Sequence, residues 1–319
     1  MGFSVRIAPG VRVRVTPSGV RVRVTPSGVR VGAAAASTRV RVGAGGAGAG
    51  GVTASTTVPT LFGPLTVSSG PLAPAPTTRA GRRRGGGRRA PAPAAGRAAA
   101  AEAEKAREAE LLAAELEALT SAHRSEVVPV PPSAAPPLSD PDAVVAALVE
   151  AYARAGEAAA PVGVDGEEVT TVLLAPPESV VPDRVPGRTA AGRASLRAAP
   201  ARWRAGVHAT AVTGQALRTA RRALATVPAL AAVRVVVVRE AGPDAYGRPR
   251  LECLLAGRWT RAALDGVRWD LADAGVIAAQ TASELLVQVR RGGLAPLDLR
   301  GEPALAALLD HVAGRDADG

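Results

Sequence analysis

Few residues in this chain of 319 carry reactive side chains, and their spacing limits the chemistry open to them. Pro243-Asp244 followed by Glu252 has the look of a metal-dependent nuclease or hydrolase, in which carboxylates hold the metal and a nearby lysine steadies charge. Residue 254 is Leu, and Lys105 is the one lysine of the chain. A hairpin loop with a surface acid on its second strand accounts for the same residues. Asp244 to Arg248 is still the polar loop to watch, because loops carry function more often than cores. Cys253 alternates with Leu251 and Leu255 and reads as a buried, inert thiol. As the only cysteine it cannot close an internal disulfide, and with His123, His208 and His311 it makes no zinc spacing. Asp310-His311 reads as a helix-surface pair. Gly43, Gly45 and Gly48 spell GxGxxG, but a dinucleotide site needs a helix to follow and an acid about 20 residues on. Thr, Ser and Pro follow instead, and no acid occurs before Glu102. Trp203, Trp259 and Trp269 read as core. These patterns point to no catalytic residue, no cofactor and no metal.

Arginine is the better candidate. Arg79, Arg82, Arg83, Arg84, Arg88, Arg89 and Arg97 lie in a Gly/Pro context that suits phosphate binding by counterion release. No aromatic residue is interleaved for base stacking, so such binding would be non-specific. Residues 1–101 hold 15 Arg and no acid, or +15, and the remainder has 24 basic and 28 acidic residues, or −4, which together make the formal +11. The bland alternatives are a solvated linker, pairing with the Glu-rich stretch beside it, or the codon bias of a GC-rich genome.

The elements that would position these groups follow from periodicity. GVRVRVTPS fills 10–18 and again 19–27, with Val and Arg alternating at period two and Pro and Gly punctuating a turn. This predicts a small antiparallel β-domain over 1–70, with Arg12, Arg14, Arg21 and Arg23 opposite its valine face. Residues 71–97 read as a disordered Arg/Gly/Pro linker. A Glu-rich helix follows over 98–127, with Leu112, Leu116 and Leu119 on one face, and then a Pro-rich linker over 128–139. Residues 140–319 read as an α+β domain. Asp140 caps a helix 141–156 with Pro141 at its first position. Asp165-Gly166 marks a hairpin whose turn Glu167 and Glu168 lengthen, and a Pro-rich loop spans 175–187. A helix covers about 201–226, and VRVVVV at 233–238 has the continuous apolar run of a central strand. From Val169 onward the order strand, helix, strand, strand, helix, strand, helix matches the split βαβ arrangement of ferredoxin-like domains with an added helix.

The opening MGFSVR, then APGVRVRVTPSG and the later GVRVG, resembles the small bacterial N-terminal domain catalogued as domain-of-unknown-function family 4236. Met1, Gly2, Phe3, Arg6, Pro9, Gly10, Val11, Arg12, Ser18 and Gly19 carry the likeness. The stretch from Val233 to Trp269 is similar to the C-terminal domain of long actinobacterial relatives. The resemblance implies no activity.

MGFSVR has no apolar core of a signal peptide, and Ala223 to Val233, broken by Pro228, falls short of the ~18–20 residues of a membrane span. A cytoplasmic location is therefore expected. The charge distribution points to a non-catalytic binding or scaffolding protein whose basic N-terminal third contacts a polyanion, nucleic acid included, or a protein partner. The alternative is a metal-dependent hydrolase or nuclease built on Asp244 and Glu252. Self-association through the valine face is a third expectation, since a thin sheet needs cover.

Overall fold

The computed structural model describes residues 92–314 apart from 244, 246 and 248, together with the backbone of five short strands before them. Those strands are β1 (Phe3–Ala8), β2 (Val11–Thr16) and β3 (Gly19–Val24), which pair antiparallel in that order, and the hairpin of β4 (Ser55–Thr60) and β5 (Gly63–Ser68). The register sets Arg12 opposite Arg23 and Arg14 opposite Arg21.

Helix α1 (Ala92–Thr120) takes in residues 92–97, whose composition reads as linker, because alanine carries the helix back through them. It is exposed for most of its length, with Leu112, Leu116 and Leu119 half-buried along one side. Glu108 pairs with Arg184 at 2.7 Å, and Glu102 with Arg193 at 3.7 Å. Both arginines belong to a hairpin of β8 (Arg184–Arg188) and β9 (Ala194–Ala198), whose first strand starts inside the stretch that reads as a Pro-rich loop. The Pro-rich segment after α1 is packed rather than free. The Val130 N–H donates to the Ala225 carbonyl at 2.8 Å, and Leu138 lies against the core.

The main body is a mixed six-stranded sheet. Helix α2 (Pro141–Arg154) is capped by the Asp140 carboxylate, which accepts from the Ala143 N–H at 3.0 Å, and it buries Val144, Leu148, Val149 and Tyr152. Then β6 (Ala159–Asp165) and β7 (Glu168–Leu174) form a tight hairpin. Asp165 pairs directly with Glu168, so the turn has two residues and Glu168 belongs to the strand instead of lengthening the loop. Helix α3 (Ala201–Thr226) crosses over to β10 (Ala232–Pro243), which lies parallel to β7. Two parallel neighbours need such a crossover. Strand β11 (Pro249–Thr260) returns antiparallel. The short α4 (Arg261–Asp265) and α5 (Ala274–Thr281) lead to β12 (Ala282–Arg290), β13 (Gly293–Ala295) and α6 (Pro303–Ala313). The strand order is β13-β12-β11-β10-β7-β6. In a split βαβ unit a third strand separates the two parallel ones, whereas β7 and β10 are immediate neighbours here.

Strand β10 is buried on both faces. Val233, Val235 and Val237 join Leu173, Leu217 and Trp259 beneath α2, α3 and α5. Val236 and Val238 join Val172, Ala256 and the α6 residues Leu305, Leu309 and Val312 on the other side. At the end of α3, Val227 is extended before Pro228, which stops the helix. Arg261 satisfies the carbonyls left over, donating to Leu224 at 2.8 Å, Leu230 at 3.1 Å and Val227 at 3.3 Å. No helix among the described residues is long and apolar enough to cross a membrane.

Trp259 is fully buried and lies flat over Gly257, where an added Cβ would overlap the ring. Gly257→Ala is therefore expected to destabilise the body by about 1–3 kcal/mol through overpacking. Urea unfolding should show a lower midpoint at unchanged slope.

Candidate functional site

The arginines singled out from sequence fall into two groups. Arg12, Arg14, Arg21 and Arg23 take their places on β2 and β3 in the register given above. Arg82, Arg83, Arg84, Arg88 and Arg89 lie outside the described residues, as does Asp244. Glu252 sits on β11 opposite Arg239 of β10. It accepts from Arg239 Nε at 2.9 Å and Nη2 at 2.8 Å, with Arg250 at 3.8 Å. This carboxylate is thus engaged in a cross-strand ion pair. Among the described residues no three His, Cys, Asp or Glu side chains group so as to hold a metal ion. Cys253 is buried, and burial pushes its thiol up to about 12, so it stays protonated at neutral pH.

A charged site that the periodicity of α2 and α3 does not announce lies where these two helices meet. Helix α2 ends at Arg154. Gly156 follows in the left-handed conformation, φ +66°, and the Glu157 N–H reaches back to the Tyr152 carbonyl at 2.9 Å. This is the Schellman turn that glycine favours, and it directs Glu157 into α3. The Glu157 side chain is only 1% exposed. Its Oε1 accepts from Arg222 Nε at 2.8 Å, and its Oε2 from the Thr219 hydroxyl at 3.0 Å. Arg218 Nε lies 3.0 Å from Oε1 but is not aligned to donate to it. Two guanidinium groups therefore share one buried carboxylate, leaving a net charge of +1. The sequence does carry a signal for it: Arg218 and Arg222 are one helical turn apart in a helix otherwise rich in alanine.

The site opens on a cavity of about 170 Å³ at the carboxyl end of β7. Arg218, Gln215 and Glu157 form its polar side, and Leu173, Ala175 and Val180 are among its apolar walls. Crevices at the carboxyl ends of parallel strands are where open α/β sheets commonly bind ligands.

A second polar cluster joins α1's end to α3. His123 is buried and its Nε2 donates to the Ala272 carbonyl at 3.1 Å, which leaves Nδ1 as a buried acceptor with no partner among the described residues. Arg221 donates to the carbonyls of His123 at 2.6 Å and Ser125 at 3.0 Å, and its guanidinium lies 4.2 Å from the centre of the Trp269 ring. Burial first, and then Arg124 and Arg221, lower the His123 pKa, against the opposing pull of the Ala272 hydrogen bond and Asp273. Burial pushes the Asp273 carboxyl up.

No family model matches the chain, and no curated protein and no solved structure matches it either.

Two outcomes test these assignments. Glu157→Gln leaves Arg218 and Arg222 without their buried counter-charge and should cost about 3 kcal/mol or more, whereas Glu252→Gln, at a partly exposed pair, should cost under ~1 kcal/mol. Chemical denaturation of both variants decides this. The depressed His123 pKa means that the unfolded chain takes up this proton first. Stability should therefore fall as pH drops below the ordinary histidine value of 6.5. Asp273 works in the opposite sense, its contribution fading as pH rises above 3.8. The difference between the wild type and His123→Gln, followed by urea midpoint from pH 7.5 down to 5, isolates the histidine part. A flat difference across that range would contradict the assignment.

Proposed function

We propose that this is a non-catalytic binding or scaffolding protein whose N-terminal third contacts a polyanion, with nucleic acid as the leading class. The observation that carries this reading is how arginines on facing strands are compensated. On β10 and β11, Arg234 is set opposite Arg258. Like charges so placed repel, and here flanking carboxylates offset them. Glu168 of β7 touches Arg258 at 2.8 Å and Arg234 at 3.4 Å, and Glu284 of β12 touches Arg234 at 3.0 Å. The register of β2 and β3 repeats the same opposition twice, Arg12 with Arg23 and Arg14 with Arg21. Residues 1–101 contain no Asp or Glu at all. Compensation for a small basic β-module must therefore come from outside that segment, and a phosphate-bearing chain supplies it through counterion release.

The arginine run beyond β5 extends the same basic tract. In the body, Arg188 and Arg197 of the β8–β9 hairpin are exposed and bond only backbone carbonyls among the described residues, which adds cationic surface of the same kind. The absence of aromatics from the arginine run favours binding without sequence preference. The likeness of Met1–Gly19 to family 4236 is compatible with this reading and adds no activity to it.

The test is fluorescence anisotropy of the full chain with a short labelled DNA duplex over a series of salt concentrations. Binding should weaken linearly in log–log form. Replacing Arg82, Arg83, Arg84, Arg88 and Arg89 together by Gln should reduce the slope by up to about 4–5, at roughly 0.9 per phosphate contact. No binding at low salt, or an unchanged slope in the variant, would overturn the reading.

A further inference from the structure

We infer that the cavity beside Arg218 is a binding site for a small organic carboxylate with a short apolar body. The inference is independent of the polyanion reading, since it uses none of the arginines of residues 1–101.

Three features converge. The first is charge. Glu157 is a buried anion already satisfied on both oxygens, by Arg222 on Oε1 and Thr219 on Oε2. Arg218 is therefore the surplus cation. It makes no aligned hydrogen bond to a described residue, and its side chain is 23% exposed at the cavity wall. A guanidinium that is partly desolvated, that touches Glu157 at 3.0 Å without a hydrogen bond from its Nε, and that is carried on a long helix is suited to a planar carboxylate. The second is the polar stripe on α3. His208, Gln215, Arg218 and Arg222 recur at helical spacing along one side of a helix whose other residues are mostly small or apolar. His208 holds the wall of the cavity by donating from Nε2 to the Pro176 carbonyl at 2.8 Å. Gln215 lines the cavity one turn from Arg218 and offers an amide N–H to the same anion. The third is size and lining. The volume is about 170 Å³, and Leu173, Ala175 and Val180 line it together with Arg218, Gln215 and the neutralised Glu157. An apolar cavity of about 150 Å³ holds a benzene-sized body. The site thus fits an acid of roughly the size of butyrate to benzoate, its carboxylate on Arg218 and Gln215 and its hydrocarbon on the strand end. The inference is of binding alone, since the one carboxylate of the lining, Glu157, is already held by Arg222 and Thr219.

The experiment is a ligand titration of the full chain, read by calorimetry and by thermal unfolding. The probes are butyrate, benzoate and the matching uncharged amides, butyramide and benzamide. The acids should bind saturably and raise the unfolding midpoint, with the amides at least tenfold weaker. Arg218→Gln should weaken the acids at least tenfold and leave the amides unchanged. Val180→Phe fills the cavity from its apolar side without touching the ion cluster, and should abolish binding of acid and amide alike. It keeps the test decisive if Arg218→Gln does not fold. Equal affinity for acids and amides, unchanged acid binding in either folded variant, or no saturable binding of either acid would each overturn the inference. Duplex binding by the full chain is unaffected by any of these outcomes.

Discussion

Strand β10 imposes the constraint on which the body depends. A run of valines with apolar residues on both faces has no side that can meet water, so it must be central. Burial of both faces requires a layer above and a layer below. The first is supplied by α2, α3 and α5, and α6 contributes the second. Burial of both edges requires a partner on each side. The antiparallel partner, β11, comes cheaply by hairpin. The parallel partner, β7, can only be reached by a long crossover, and that crossover is α3. The many small residues of α3, Ala209, Ala216, Ala220 and Ala223 among them, let it lie close on the sheet. An alanine-rich composition that looks poor in core-forming side chains is thereby used for close approach, while valine and leucine fill the sheet side.

Arginine solves the second problem of a body with one lysine. Several of its guanidinium groups act as internal ties rather than as surface charge. Arg261 gathers the carbonyls of Leu224, Val227 and Leu230 at and beyond the end of α3, Arg221 holds the turn after α1 while stacking on Trp269, and Glu168 ties Arg234 to Arg258 while Glu284 holds Arg234. The planar fork with five donors can serve two or three acceptors at once, which an ammonium on a flexible stem does less well. Where acids are available the arginines are absorbed in this way. Where none are available within the segment, as in residues 1–101, the same residue type is left to find its counter-charge elsewhere. The contrast between the two regions, more than the net charge, separates the structural arginines from those proposed to bind.

Much of the body was legible because local physics governs it. Asp140-Pro141 specifies a helix start through its cap and the valine run a central strand, and both are found in place. The two-residue turn at Gly166-Glu167 was not, because acidic residues after Asp-Gly resemble loop. Glu168 lies in the strand, where Arg234 and Arg258 meet its carboxylate across the sheet. The hairpin of β8 and β9 was hidden for a similar reason. Its residues have weak strand preference, and Glu102 and Glu108 of α1 support it from outside.

The sequence by itself determined the charge asymmetry, the main helices and central strands of the body and the scarcity of reactive side chains, because composition, caps and periodicity act within a few residues. Only the tertiary structure decided which charges meet. Glu157 lies 61 to 65 positions before Arg218 and Arg222 and shares no periodic pattern with them. A glycine-directed turn at the end of α2 and the crossover path of α3 bring them into one buried cluster, and the pairing energy arises only once that packing has excluded water.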